Sequence, residues 1–246
     1  MERRAPLLAI DAGNTRIKWA LHDGTAWTTA GAIATAESAR IGEAWAALPR
    51  IGRAIACNVA GAEVERGLRE SCSARGMALT VIASRHEELG VVNGYRDPAQ
   101  LGADRWAALV AAHAVGPGPK LVVNVGTALT VDALGGDGRF LGGIIVPGPD
   151  LMRGALASGT ARLPLAAGNF REFPDTTEDA IASGALQACV GAILRVRHAM
   201  TEHGMAPGHV VLSGGAARTL APLLPMPFSI HENLVLDGLA RIAWHS

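Results

Sequence analysis

One stretch concentrates residues able to do chemistry: Leu7-Leu8-Ala9-Ile10-Asp11-Ala12-Gly13-Asn14-Thr15-Arg16-Ile17-Lys18-Trp19. An apolar run stops at a carboxylate, turns through a glycine and two small polar residues, then resumes with alternation. Ile17 and Trp19 face one way, Arg16 and Lys18 the other, which is the pattern of strand, tight turn, strand. Gly13 lets a ligand approach the backbone with no Cβ in the way. Asn14 and Thr15 bring short hydrogen-bonding groups, and turn amides there can form an anion-binding nest. Asp11, closing a buried strand, is placed to hold a hydrated cation. These are the parts of a nucleotide-phosphate hairpin; a plain β-hairpin with a polar tip has the same outline.

A second copy strengthens the phosphate reading. Leu121-Val122-Val123-Asn124-Val125-Gly126-Thr127-Ala128-Leu129-Thr130-Val131-Asp132 repeats the layout about half a chain length later, with Asn124 in the place of Asp11 and Gly126 in that of Gly13. A hairpin duplicated at that spacing predicts two similar α/β lobes gripping one ligand.

The elements that must position these hairpins follow from the chain in order. A third strand is expected near Trp27–Ile33, and a helix over Glu37–Leu48 with Ile41, Trp45 and Leu48 inward. A buried strand over Arg53–Val59, a helix over Glu63–Arg75 (Val64, Leu68 and Cys72 inward) and a strand over Leu79–Ala83 complete a mixed sheet with helices on its faces. Val91–Arg105 reads as a loop carrying Tyr95, the only tyrosine, and leading through Gly102-Ala103-Asp104-Arg105 into an Ala-rich helix that ends near Val115. Asp104 complements the positive end of that helix, a reading that needs nothing further and is preferred on these residues alone. The alternative is a carboxylate general base beside a cationic clamp. Gly116-Pro117-Gly118-Pro119 breaks the helix and marks a lobe boundary, giving lobes 1–116 and 117–246. In the second lobe, Gly142-Gly143 suggests a close backbone approach or a bulge in a strand, Pro147-Gly148-Pro149 starts a helix over Asp150–Ser158, and Arg162–Thr177 is irregular. Glu178–Glu202 is the longest helical stretch, with small residues at Ala182, Gly184, Ala185, Ala188 and Gly191 suited to close helix packing. Val210–Ala217 is a strand entering Gly214-Gly215, whose amides can face a phosphate or purine, and Asn233–Trp244 is a helix with Leu236, Leu239 and Ile242 inward.

Composition narrows the classes. Apolar residues make up 49% of 246 and charged residues 18%, so a large core forms readily and extended disorder is not expected. Basic and acidic residues balance at 22 each, and aromatics are only 4%, which disfavours a nucleic-acid-binding surface. Three widely spaced cysteines, Cys57, Cys72 and Cys189, offer no CxxC pair and read as buried thiols of a cytoplasmic protein. The eight histidines include no HxH or HExxH, which disfavours a metal-dependent hydrolase built on Asp11. No signal-peptide core or uninterrupted apolar span is visible, so no membrane partner is expected.

In order and spacing, nearly end to end, these motifs resemble the type III pantothenate kinases of the acetate kinase/sugar kinase/Hsp70/actin superfamily. The resemblance implies duplicated ribonuclease H-like (actin-like ATPase) α/β lobes and ATP-dependent phosphorylation of pantothenate to 4'-phosphopantothenate, the first step of coenzyme A biosynthesis. It makes Asp11, Ala12, Gly13, Asn14, Thr15, Arg16, Ile17 and Lys18 the first phosphate motif. Asn124-Val125-Gly126-Thr127 becomes the second, with Thr127 on the nucleotide, and Gly214 and Gly215 lie on the adenosine side. Gly142-Gly143…Pro147-Gly148 matches a further segment of the family. Tyr95, Gly102, Ala103, Asp104, Arg105 and Thr177 become the pantothenate contacts, with Asp104 as general base and Arg105 either binding the pantothenate carboxylate or steadying Asp104. Asp11 would orient Mg²⁺ through water. Many members carry Asp where this chain has Asn124, and that Asp ligates potassium. An amide oxygen can still ligate K⁺ or NH4⁺, but without charge. A homodimer is implied, with pantothenate near the interface. Competing readings are another small-molecule kinase of the superfamily, such as a sugar kinase, and a nucleotide-binding regulatory accessory protein without turnover. The Gly-Ala-Asp-Arg motif with its upstream Tyr95 speaks against the first; intact Asp11 and Asp104 speak against the second.

Overall fold

The structure is a computed structural model describing residues 5–160 and 167–245. It resolves into two compact units, one joining Met1–Val115 to Asn233–Ser246 and the other formed by Gly116–Glu232.

Unit 1 opens with β1 (Leu7–Ala12), β2 (Arg16–His22) and β3 (Trp27–Ala34). A six-residue 3₁₀ segment, Thr35–Arg40, and the short α1 (Ile41–Ala44) follow, then β4 (Arg53–Asn58), α2 (Ala62–Ala74) and β5 (Ala78–Val81). A small hairpin, β6 (Glu87–Glu88) and β7 (Val91–Asn93), precedes α3 (Ala103–His113). The sheet order is β3-β2-β1-β4-β5, antiparallel across β1, β2 and β3 and parallel from β1 through β4 to β5. Strand alternation gives it two faces. Leu8, Ile10, Ala12, Ile17, Trp19, Ala54 and Ala56 pack under Ile41, Trp45, Val64, Leu68 and Cys72. Asp11 and its register partners Lys18 and Cys57 therefore belong to the opposite face.

Unit 2 repeats the plan with β8 (Lys120–Val125), β9 (Ala128–Leu134), β10 (Arg139–Pro147), α4 (Pro149–Gly159), α5 (Thr177–Glu202), β11 (His209–Ser213), α6 (Ala217–Leu220) and β12 (Phe228–Ile230). Its five strands run β10-β9-β8-β11-β12, antiparallel for the first three and parallel for the rest, the same order and directions as unit 1. A register shift between Phe140 and Gly142, with Gly142 at φ +129°, is the bulge anticipated from the paired glycines. By length and composition α5 could cross a membrane, but its Leu186, Cys189, Ile193 and Met200 belong to the core against Leu121, Val123, Val210 and Leu212.

Three expectations change. Glu37–Leu48 is not one helix: Ala34 supplies no side-chain cap, and Glu37 sits at φ −102°, ψ 15°, outside the helical region. Burial of Ile41, Trp45 and Leu48, rather than helix propensity, holds that segment. Val91–Asn93 is a strand inside the expected loop. The last helix, α7 (Leu234–His245), groups with unit 1 and not with 117–246. It lies along α3, where a Cβ on Gly238 would come within 1.9 Å of the Ala107 carbonyl oxygen. Arg53 donates to the Ala243 carbonyl at 2.6 Å, occupying one of the free acceptors at the helix end. Part of the 162–177 stretch, residues 161–166, lies outside the described residues.

Gly238→Ala is accordingly expected to destabilise the protein by about 2–3 kcal/mol through overpacking. Gly67→Ala, in α2 where a Cβ would meet nothing within 4 Å, is expected to stabilise by roughly 0.5–1 kcal/mol. Urea unfolding of the two variants measures both.

Candidate active site

In unit 1 the turn between β1 and β2 is held from three sides. Gly13 N–H donates to the Arg16 carbonyl at 3.1 Å, Thr35 N–H to the Thr15 carbonyl at 3.0 Å, and the Thr35 hydroxyl to the Gly13 carbonyl at 2.7 Å. Asn14, Thr15 and Arg16 are exposed at the tip. Ala12 and Ile17 are fully buried in the core, so only their backbone can meet a ligand.

Asp11 ends β1 with Lys18 across from it on β2 and Cys57 beside it on β4. The Cys57 thiol donates to Asp11 Oδ1 at 3.4 Å. Burial first, and then the negative charge of Asp104, push the Asp11 carboxyl up to about 6, against the opposing pull of the Cys57 hydrogen bond and of Lys18. Cys57 is fully buried, and burial together with Asp11 and Asp104 raises its pKa, so it remains a protonated donor.

Asp104 stands in the first turn of α3, where its Oδ1 accepts the Arg105 N–H at 2.8 Å. The capping role and the proximity to Asp11 therefore coexist in one side chain. Gly102, the residue before the helix, explains the Gly-x-Asp spacing: a Cβ there would sit 2.6 Å from Asp104 Oδ1. Ala103 is buried. Arg105, 7% exposed, donates from Nη1 to the Tyr95 hydroxyl at 3.1 Å and lies 5.8 Å from the Tyr95 ring centre. Unit 1 thus assembles two carboxylates, a lysine, and an arginine braced by a tyrosine. Sequence reading gave Cys57 no place in this group, because its link to Asp11 depends on strand register.

In unit 2 the β8–β9 turn is closed by Gly126 N–H to the Ala128 carbonyl at 3.0 Å, and Gly148 N–H donates to the Thr127 carbonyl at 2.8 Å. A Cβ on Gly148 would lie 2.0 Å from the Gly126 carbonyl, which ties the Pro147-Gly148 segment to the turn. Asn124 pairs with Thr130 and Ser213 across the neighbouring strands. Gly214, at φ +99°, leaves space that a Cβ would take from Asn124 Oδ1 at 2.6 Å and from the Val125 carbonyl at 2.4 Å. Gly215 and Thr127 are exposed. Thr177 is the first residue of α5, exposed, next to Thr176, whose hydroxyl caps the Asp179 N–H at 3.2 Å. Asp179 also accepts the Asn169 N–H at 2.8 Å, stitching the preceding loop to that helix turn.

A sequence profile for the type III pantothenate kinases matches residues 7–199. The type III pantothenate kinase of Aromatoleum aromaticum is 49% identical over 238 residues, covering 96% of this chain and 97% of its own, and that of Nitrosospira multiformis is 43% identical over 240 residues, covering 96% and 90%. Among solved structures, a conserved protein provisionally assigned to the Baf family of transcriptional activators from Campylobacter jejuni aligns with a TM-score of 0.63 at 18% identity over 97% and 98% of the two chains. A protein provisionally assigned as a 2-dehydro-3-deoxygalactonokinase from Sinorhizobium meliloti aligns at 0.60, 18%, 97% and 98%. At those identities the structural likeness shows the fold alone, that of the actin-like ATPases and sugar kinases, in agreement with the repeated strand order of the two units. With near-complete coverage and up to 49% identity to the relatives just named, the chain belongs to the type III pantothenate kinase family.

Proposed function

We propose that this chain transfers the γ-phosphoryl group of ATP to the primary hydroxyl of pantothenate, giving 4'-phosphopantothenate and ADP, the first step of coenzyme A biosynthesis. The observation that carries the reading is the carboxylate pair of unit 1, Asp11 and Asp104, with Arg105 following Asp104 in α3 and bonded to the Tyr95 hydroxyl. Asp104 is the general base. As the hydroxyl oxygen forms its bond to phosphorus, its proton passes to the Asp104 carboxylate, and the bond from phosphorus to the leaving ADP oxygen breaks. Arg105 either binds the pantothenate carboxylate or steadies Asp104, with its guanidinium bonded to the Tyr95 hydroxyl. Gly102 and Ala103 of unit 1 serve pantothenate in this reading, as does Thr177 of unit 2. In this reading the backbone of Asp11–Lys18 and the side chains of Asn14, Thr15, Arg16 and Lys18 serve the phosphates, and in unit 2 Thr127, Gly214 and Gly215 serve the nucleotide.

Mg²⁺ fits the donors present. Two like-charged carboxylates raise the cost of ionising Asp11, and a cation beside it relieves that cost. Asp11 would hold the ion through water, and when bound it neutralises phosphate charge. Asn124 offers a monovalent cation only an uncharged oxygen, so dependence on K⁺ or NH4⁺ is weakened or absent in this proposal. The chain acts in the cytoplasm as a homodimer. Support comes from α5, where Gly184, Ala188 and Gly191 leave an exposed strip of small residues, and from the exposed Ile145, Leu151 and Phe173 of the same unit.

The test is ADP release by purified protein with ATP, Mg²⁺ and pantothenate, with and without potassium. Pantothenate-dependent release that is indifferent to potassium is the expected result. Nucleotide binding with no transfer would favour the accessory-protein reading. Asp104→Asn is expected to lower kcat by about 10²–10⁴-fold; turnover within a few-fold of the parent would end the base assignment. In ligand-free protein, Asp11→Asn should raise stability above pH 6 by up to about 3 kcal/mol, since the parent carboxylate must ionise at a raised pKa. The gain should fade as pH falls from about 6 through 4 and vanish below about 3, where Asp11 is protonated in both folded and unfolded chains; thermal melts across that range show it. Ala188→Arg should convert a dimer to a monomer in sedimentation velocity.

A further inference from the structure

The first turn of α3 is fixed by more than its own capping. Gly102 provides no side-chain cap, and Asp104 satisfies only the Arg105 amide among the contacts described for it. The helix then continues through Trp106, which is fully buried and whose indole N–H donates to Glu88 Oε2 at 2.8 Å. Glu88 keeps 12% of its side chain exposed and pairs with Arg85 at 3.7 Å. Its bond to the indole is a charge-assisted one in a largely dry place, the kind that fixes geometry most firmly.

Glu88 is placed by a tight hairpin. It faces Val91 across the β6–β7 hairpin, and the two residues between them, Leu89 at φ +50° and Gly90 at φ +82°, both adopt left-handed conformations. A leucine in that region is uncommon. From the hairpin the chain passes to Asn93, whose side chain donates to the Pro98 carbonyl at 3.3 Å and accepts the Tyr95 N–H at 3.0 Å. The Ser84 hydroxyl also donates to the Pro98 carbonyl. Tyr95 in turn receives Arg105. The segment 84–98 therefore grips two successive residues of α3, Arg105 through Tyr95 and Trp106 through Glu88.

We infer that Glu88 is a positioning residue for phosphoryl transfer: its carboxylate clamps Trp106, and so fixes the rotation of the helix turn that presents Asp104 and Arg105. The inference rests on the role proposed for Asp104 and deepens it. A general base works only within hydrogen-bonding reach of the hydroxyl, and a displacement of about 1 Å can cost roughly 10²-fold in rate.

The experiment is steady-state kinetics on the full chain for Glu88→Gln, Glu88→Leu, Trp106→Phe, the double variant Glu88→Leu/Trp106→Phe, and Asp104→Asn, each with a thermal melt. Glu88→Gln keeps an acceptor for the indole and is expected to remain within about threefold of the parent. Glu88→Leu and Trp106→Phe each remove one side of the bond and are expected to lower kcat/KM for pantothenate by about 10–100-fold, leaving KM for ATP within twofold. The double variant should be no worse than the poorer single one, because both break the same bond. Glu88→Leu with parental kinetics overturns the inference. So does a loss that falls equally on both substrates, follows the melt and is not rescued by Gln, since that is a fold defect and not a placement defect. Asp104→Asn separates the layers: an active Asp104→Asn overturns the base assignment itself, whereas an inactive one beside a parental Glu88→Leu overturns only the clamp.

Discussion

The constraint on which unit 1 depends is the holding of two carboxylates near one another in a poorly solvated place. Asp11 is delivered by the end of β1 and Asp104 by the start of α3, and the charge on Asp104 adds to the cost of ionising Asp11. Nothing in a folding chain favours such a pair by itself. The neighbouring groups are what make it tolerable: a thiol hydrogen bond from Cys57, a lysine on the adjacent strand, and a helix N-terminus under Asp104.

The second unit is built on the same strand order but is charged differently. Where unit 1 ends its first strand in Asp11, unit 2 ends β8 in Asn124, packed against the bare backbone of Gly214. The duplication therefore preserves backbone geometry, a tight turn and a glycine at each close approach, while leaving the negative charge on one side only. An amide at that place carries no desolvation cost comparable to a carboxylate's.

Much of this is legible in the sequence because it is local. The alternation through Ile17 and Trp19, the turn at Gly13, the paired glycines at Gly142 and the capping carboxylate at Asp104 all leave a pattern within a few residues. The two hairpins even align with each other on residue types alone. What escapes a reading of the sequence is non-local or atypical. The β6–β7 turn uses Leu89 in a left-handed conformation, where Asn-Gly or Asp-Gly would have announced a hairpin. The Glu37–Leu48 segment shows helical spacing of its apolar residues because they share one buried face, yet it lacks the caps that would make a continuous helix. The Cys57–Asp11 and Glu88–Trp106 bonds join residues far apart in the chain, and no periodicity encodes them.

Helix α7 carries a consequence for synthesis. Unit 1 is discontinuous in sequence: its sheet and α3 leave the ribosome first, all of Gly116–Glu232 comes next, and only then does α7 appear. Until it does, the groove on α3 around Ala107, which Gly238 fills so closely, has no cover. At ordinary rates of about 5–20 residues per second, the interval is on the order of ten seconds. The nascent chain thus presents apolar surface from its oldest part while its middle is still being made. Unit 2, continuous in sequence, can finish first, and unit 1 is complete only when α7 closes over α3, the helix that bears Asp104.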